Sequence, residues 1–326
     1  MVWELIKCDG DDEWEEYLKR SNGLVTIAHN PTLISFFSKY FGFDGGNYFL
    51  CKNKTEMAAI VLINTSKGFM SVPHLSYGGF ISSNGLNPLE GFEALTGLLE
   101  GDLEIRSFDK LSEYCFDKKI ATYLTLKDEI DAQFSDLTSN MRRKTRKAIK
   151  NGMNIQVGGL DLLSDFYSIY KGNMKKLGSP HFSIGFFKCL LESYGRGEAK
   201  IFCTYHEGKP IGGAFVLSYL DYFENCWFST DQRFNGLYTS IYLYWEMIKY
   251  AVNGGYKYFS FGRSSENSSL LAFKRHWKPE ERRLYFNYSA PQKLQLREQK
   301  YLSTCWRYLP GVFTDKLGPI IAERIY

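Results

Sequence analysis

Residues 199–262 run through three apolar stretches joined by short polar turns, then a long helical pattern, then a fourth apolar stretch, and residues 48–108 run through the same series. In the later copy, "AKIFCTY" (199–205), the turn "HEGK", "PIGGAFVLSYL" (210–220) and "YFENCWFST" (222–230) read as strands. "TSIYLYWEMIKYAVNGG" follows, with apolar residues at 241, 244, 245, 248, 251 and 252, the spacing of a helix that Gly254 and Gly255 stop. "YKYFSFG" (256–262) is apolar on both faces, as a central strand must be. The earlier copy reads "YFLCKN" (48–53), "MAAIVLINTS" (57–66), "FMSVP" (69–73), "PLEGFEALTGLLEG" (88–101) and "DLEIRSF" (102–108). Its strands start at 48, 57, 69 and 102 and their counterparts at 201, 210, 222 and 256, a nearly constant offset (201 − 48 = 153). Identity between the copies is slight, but element order and spacing agree. This points to the duplication of one mixed α/β unit.

The 326 residues suit two domains of ordinary size. A net charge of +4 is too mild to argue for nucleic acid by itself. Seven cysteines, an odd number with no CxxC pair, fit reduced thiols and argue against a disulfide framework. The five histidines show neither HxxxH nor HExxH spacing, so no metal centre is expected. The acidic start "MVWELIKCDGDDEWEEYLKR" has no apolar core of a signal peptide, and no window approaches the roughly 20 apolar residues of a membrane helix. A soluble, cytoplasmic protein is expected.

Three strands, a loop, a helix and a fourth strand is the order of the acyl-transferase core in the GNAT superfamily, whose loop before the helix cradles the coenzyme A pyrophosphate on free N–H groups. Here that loop is "DQRFNGLYTS" (231–240), and Arg233 to Tyr238 resembles the superfamily's (Q/R)xxGx(G/A) signature except at its last place. Tyr238 would obstruct the close backbone approach that glycine allows. The resemblance makes Arg233, Gly236, Thr239 and Ser240 the candidate donor-binding residues. The first copy's equivalent, "HLSYGGFISSNGLN", carries no lysine or arginine and is expected to bind no phosphate by this route.

Five stretches in order along nearly the whole chain resemble the FemAB family, the aminoacyl transferases of peptidoglycan cross-bridge synthesis, and the FemAB-like proteins of exopolysaccharide and exosortase systems. They are "SVPHLSYGGF" (71–80), "SNMRRKTRKAIKNGMNIQVG" (139–158), "FYSIYKGNMKKLGSPHFSIGFF" (166–187), "YFSFGRSSENSSLLAFKRHW" (258–277) and "WRYLPGVFTDKLGPIIAERI" (306–325). The resemblance implies two tandem GNAT-like (acyl-CoA N-acyltransferase-like) units of mixed α+β structure with an inter-lobe cleft. One lobe would comprise 1–138 with C-terminal helices 290–326 packing back on it, the other 139–289. No heptad run marks the long coiled-coil arm of some members, which places the chain nearer the exopolysaccharide branch.

In that family a lysine in the FK position stabilises the charge of the reacting ester, which implies a catalytic role for Lys274, with Arg263 beside it. Aminolysis builds an oxyanion, and a preorganised ammonium lowers that barrier. The plainer reading is a surface lysine next to a core phenylalanine, and on either reading Lys274 is expected to matter little for folding. Phe273, Ser264, His74, Tyr77 and His181 are candidate contacts to the acceptor; a structural turn at His74–Tyr77 and a helix-capping or partly exposed His181 are the plainer alternatives. Glu224 lies mid-strand, where GNAT enzymes sometimes place a base, or where a strand carries an ion pair. Six cations between Arg142 and Lys150 would guide an anionic donor or simply form a solvated helix face. The reading as a whole is an acyl or aminoacyl transferase acting on an amine or hydroxyl of an envelope glycan or peptidoglycan-like precursor. Acyl-CoA or aminoacyl-tRNA would be the donor, no metal is required, and tRNA is a possible partner. The rival is a non-catalytic GNAT-like binding protein of a polysaccharide assembly system.

Overall fold

A computed structural model describes residues 2–82, 85–292 and 300–324. The chain divides into two compact units. The first holds residues 2–122, 262–272 and 280–292 of those described; the second holds 123–261, 273–279 and 300–324. The division falls inside two strands, after Thr122 and Phe261, and inside one short helix, after Ala272. The first-copy loop residues Ser83 and Asn84 lie outside the described residues.

The duplication is visible as repeated topology. In the first unit Trp3–Cys8, Asp44–Lys52, Thr55–Thr65 and Gly68–Met70 pair antiparallel in turn, and Gly68–Met70 then pairs parallel with Leu103–Ser107. In the second, Met153–Gly158, Ala199–His206, Lys209–Tyr219 and Tyr222–Thr230 repeat the antiparallel series, and Tyr222–Thr230 pairs parallel with Tyr258–Ser265. The matching hairpins turn at Asn53–Lys54 and Glu207–Gly208, all four residues at positive φ, as two-residue hairpins with the right-handed strand twist require.

Each unit buries its sheet by strand alternation. In the second, Ala214 and Val216 face the helix Thr239–Asn253, which is buried nearly all round through Ile241, Leu243, Tyr244, Met247, Ile248 and Ala251. Phe215 faces the other way, 5.9 Å from Phe166 of Leu163–Leu177, 5.3 Å from Phe187 of Ile184–Ser193 and 5.6 Å from Trp227 of the neighbouring strand. In the first unit the helix Pro88–Leu98 covers Leu50, Ile60, Leu62 and Ile105, while Trp14 and Tyr17 of the helix Asp11–Arg20 pack on Phe49.

The C-terminal helices, expected against the first lobe, belong instead to the second unit. Gly178, at φ 72°, lets the helix Lys300–Tyr308 approach so closely that a β-carbon there would collide with the Ser303 carbonyl. Gly311–Arg324 packs Gly318 on the His181 ring, and Asp315 meets Lys171 at 3.0 Å.

Candidate active site

In the second unit the parallel strands pair only at Tyr222–Glu224 with Tyr258–Ser260. The parallel register does not continue to Asn225 and Phe261, where aromatic side chains gather. Phe228 stacks on Tyr244 at 4.3 Å, and Phe261, Phe273 and Trp277 stand 5.1, 5.9 and 6.0 Å from the Tyr244 ring. Asn225 donates to the Tyr244 hydroxyl at 3.3 Å.

Lys274 points into this aromatic surround. It is 2% exposed, and its ammonium donates to the Phe261 carbonyl at 2.6 Å. Burial drives its pKa down to about 7, against the opposing pull of Glu224, itself buried. This corrects the expectation of a lysine with little weight in folding. The helix Ser269–Arg275 turns Leu271 and Lys274, three residues apart, to its inner side and leaves Phe273 half-buried. Glu224 is buried and lies within electrostatic reach of Lys274.

A second group of expected residues surrounds the start of the helix Thr239–Asn253. No side chain caps its first turn, so its N–H groups point outward without a side-chain acceptor. Tyr238 sits at the cap with φ 62° and ψ 38°, the left-handed conformation that glycine takes most easily. Its ring packs on the core with Lys147 5.3 Å above it. Thr239 is buried, its hydroxyl on the Phe234 carbonyl at 3.0 Å, and Ser240 meets Thr230 at 3.3 Å. Gly236 has open space where a β-carbon would go. Arg233 is exposed and bonded to Asp231, whose carboxyl it holds down to about pH 2. The basic helix Ser139–Lys150 buries Met141, Thr145 and Ala148 and turns its cations outward; among the described residues none of the six is in an ion pair. Asn151 after it donates to the Leu237 carbonyl at 3.0 Å.

The remaining candidates are placed elsewhere. His181 is buried beneath the C-terminal helix, its Nδ1 2.9 Å from the Phe182 carbonyl and its Nε2 3.9 Å from Asp315. His74, Tyr77, Arg263 and Ser264 all lie in the first unit. His74 stacks on Phe41 at 5.4 Å, Tyr77 on Phe108 at 4.2 Å, and Arg263 donates to the Leu75 carbonyl between them in sequence. Ser264 is buried. Asn225 and Tyr244 escaped the sequence reading and left no signal there.

Among the described residues no cluster of His, Cys, Asp and Glu is fit to hold a metal, and no helix is long and apolar enough to cross a membrane.

Residues 135–278 match the Acetyltransf_6 family model, described as an acetyltransferase (GNAT) domain. No curated protein matches the chain in sequence. Among solved structures it is similar to FemX, with TM-score 0.63 and 14% identity over 88% of this chain and 96% of that one. It is also similar to L-PGS from Bacillus licheniformis (TM-score 0.54, 14% identity, 94% and 100% covered). A tandem GNAT protein from the clavulanic acid biosynthesis pathway gives TM-score 0.53 at 8% identity over 90% and 100%. At these identities the likenesses speak for the fold. Residues 135–278 thus match an acetyltransferase (GNAT) domain, within a chain whose fold is similar to that of a tandem GNAT protein.

Proposed function

We propose that the chain is a FemAB-like transferase that moves an acyl or aminoacyl group from an activated donor to an amine or hydroxyl of a cell-envelope glycan or peptidoglycan-like precursor. The observation that carries this reading is Lys274: a buried ammonium, on the FK motif of the resemblance, set where two parallel strands part. With a pKa of about 7, Lys274 exchanges its proton near neutral pH at little cost. Its charged form stabilises the oxyanion that forms as the acceptor attacks the acyl carbon. Glu224 keeps that form populated, and the Phe261 carbonyl orients Nζ.

The donor supplies an activated thioester or ester. Its phosphates fit the uncapped first turn at Thr239 and Ser240, where helix N–H groups and the positive end of the dipole favour anions. Arg233 and Lys147 would add charge there, and Gly236 leaves room for the chain of phosphates. Acyl-CoA and aminoacyl-tRNA both present such phosphates; the GNAT match favours the first and the basic helix Ser139–Lys150 suits either.

Two features favour the binding-only rival: Tyr238 in place of a small residue, and the rings of Phe228, Tyr244 and Phe273 in the strand gap. Mass spectrometry of ligands that co-purify with the native protein, followed by transfer assays with acetyl-CoA and with aminoacyl-tRNA, separates the readings. Turnover that Lys274→Met removes supports the transferase. A glycan precursor that co-purifies, with no thermal shift from either donor and no transfer, sinks it in favour of binding.

A further inference from the structure

The C-terminal helix Gly311–Arg324 of the second unit is built inside out. It buries its small residues Thr314, Gly318 and Ala322, which are four apart and therefore share one side. On that side Gly318 rests on the His181 ring, and Asp315 meets Lys171 at 3.0 Å. The large apolar residues Val312, Phe313, Leu317 and Ile320 point the other way and are all exposed, Val312 by 67% and Phe313 by 56%. A surface helix of a globular protein has the reverse arrangement, with its bulky apolar residues turned inward. Single exposed apolar side chains are ordinary, but a contiguous row of them marks an interaction surface. Tyr308, three residues before this helix, is 85% exposed, and Leu177, whose carbonyl accepts from Arg307 at 3.3 Å, is exposed as well.

The charge around this row is mainly positive. Val312, Lys316, Ile320 and Arg324 follow one another at intervals of four, so two exposed cations stand within the apolar face. Exposed Arg307 precedes the helix, and the Lys175 ammonium lies 3.4 Å from where a β-carbon on Gly311 would stand. Half-buried Glu323 is the one acidic residue of the helix on that side, since Asp315 turns to Lys171. A second copy docked by two-fold symmetry would set this cationic row against itself, and like charges oppose such a contact. A helix with exposed bulky apolar residues and lysine or arginine among them suits the headgroup boundary of an acidic bilayer instead, where anionic lipids attract the cations.

We propose that the helix Gly311–Arg324 docks the second unit on the surface of an acidic lipid bilayer, with Val312, Phe313, Leu317 and Ile320 entering the acyl boundary and Lys175, Arg307 and Lys316 beside lipid phosphates. Its 14 residues span about 21 Å at about 1.5 Å each, short of the roughly 30 Å hydrocarbon core, so the helix lies on the bilayer and does not cross it. The surface is independent of the transferase reading, and its test reads binding and not turnover.

Co-sedimentation of the full chain with vesicles of phosphatidylcholine, and of phosphatidylcholine mixed with phosphatidylglycerol, tests it. Binding to the acidic vesicles should be tighter by about tenfold or more and should weaken as salt is raised. Phe313→Ser combined with Ile320→Ser, both at exposed positions, should lower that binding about tenfold while the far-UV spectrum and melting stay as in wild type. Lys316→Gln should lower it about fivefold. Ile6→Ser, at an exposed apolar residue of the first unit, should leave it intact. Phe313→Trp should add an emission component that moves to the blue with acidic vesicles, as a ring does on leaving water. Absence of binding to acidic vesicles overturns the proposal, and so does binding that the double serine variant retains. A dimer in lipid-free solution that the same variant dissociates, with no vesicle binding, would make a second copy the occupant and overturn it too.

Discussion

The two copies of the duplicated unit treat the same parallel strand pair in opposite ways. In the first, Phe69 and Met70 pair with Leu103 and Glu104, and the chain after them stays zipped to that strand. Ser71 donates to the Glu104 carbonyl at 2.9 Å, and Gly78 to the Arg106 carbonyl at 3.1 Å. The second copy pairs three residues and then parts, and a lysine ammonium takes the Phe261 carbonyl. Closure depends on a glycine: a β-carbon on Gly78 would lie 2.9 Å from the Ser71 carbonyl oxygen. In the second copy Phe228 and Phe273 gather instead around the Tyr244 ring. The second copy sets the ammonium of Lys274 beside the end of its paired segment.

The largest expected effect tests whether the open copy is the reactive one. Lys274→Met should lower turnover about 10²–10³-fold, the usual loss for one charge-stabilising donor. With wild type, turnover should fall as pH rises past about 7, where Lys274 loses its proton. Lys274→Arg should retain a small activity without that fall, because guanidinium keeps its charge. Full activity in Lys274→Met would break the assignment.

Stability should follow the same group with a calculable sign. Lys274 binds its proton at about pH 7 when folded and near 10.5 when exposed. Below pH 7 both states are charged and the cost of burying the ammonium is fully present. Between 7 and 10.5 the unfolded chain alone stays protonated, so stability rises with pH across that window. Lys274→Met should remove this slope. Urea melts of both proteins at pH 6, 7.5 and 9 measure the difference; parallel curves would refute a buried, depressed lysine.

The closed copy yields a smaller, purely structural effect. Gly78→Ala should cost about 2 kcal/mol by forcing the loop off its strand, read as a lower urea midpoint with unchanged slope. Turnover per folded molecule should hold. A loss of turnover as large as that of Lys274→Met would erase the distinction between the copies.

The smallest effect concerns Tyr238. Tyr238→Gly relieves about 1 kcal/mol of left-handed strain and forfeits a comparable amount of ring packing. Melting should therefore move little, while thermal shift with acetyl-CoA should show a few-fold tighter midpoint as the helix N–H groups become easier to approach. Weaker binding would mean that the tyrosine ring contacts the donor.

Much of this molecule is written locally. Alternating apolar residues, two-residue turns at Asn53–Lys54 and Glu207–Gly208, and a helix stopped by Gly254–Gly255 determine strand order and its repetition, because each is decided by neighbours a few residues apart. The FK motif and the loop 231–240 were legible for the same reason. What Lys274 does with its charge was not. Its burial depends on which side the helix Ser269–Arg275 turns to the gap, and on whether Glu224 and the Phe261 carbonyl wait there. Sequence likewise left His181 among the substrate contacts, whereas the packing of Gly318 covers it, and put the C-terminal helices on the wrong unit. Arg106 and Arg263 meet only because strands far apart in the chain bring both to the Leu75 carbonyl. Periodicity ranks residues by face, but burial free energy and charge depend on distant partners, and those partners exist only once the chain has folded.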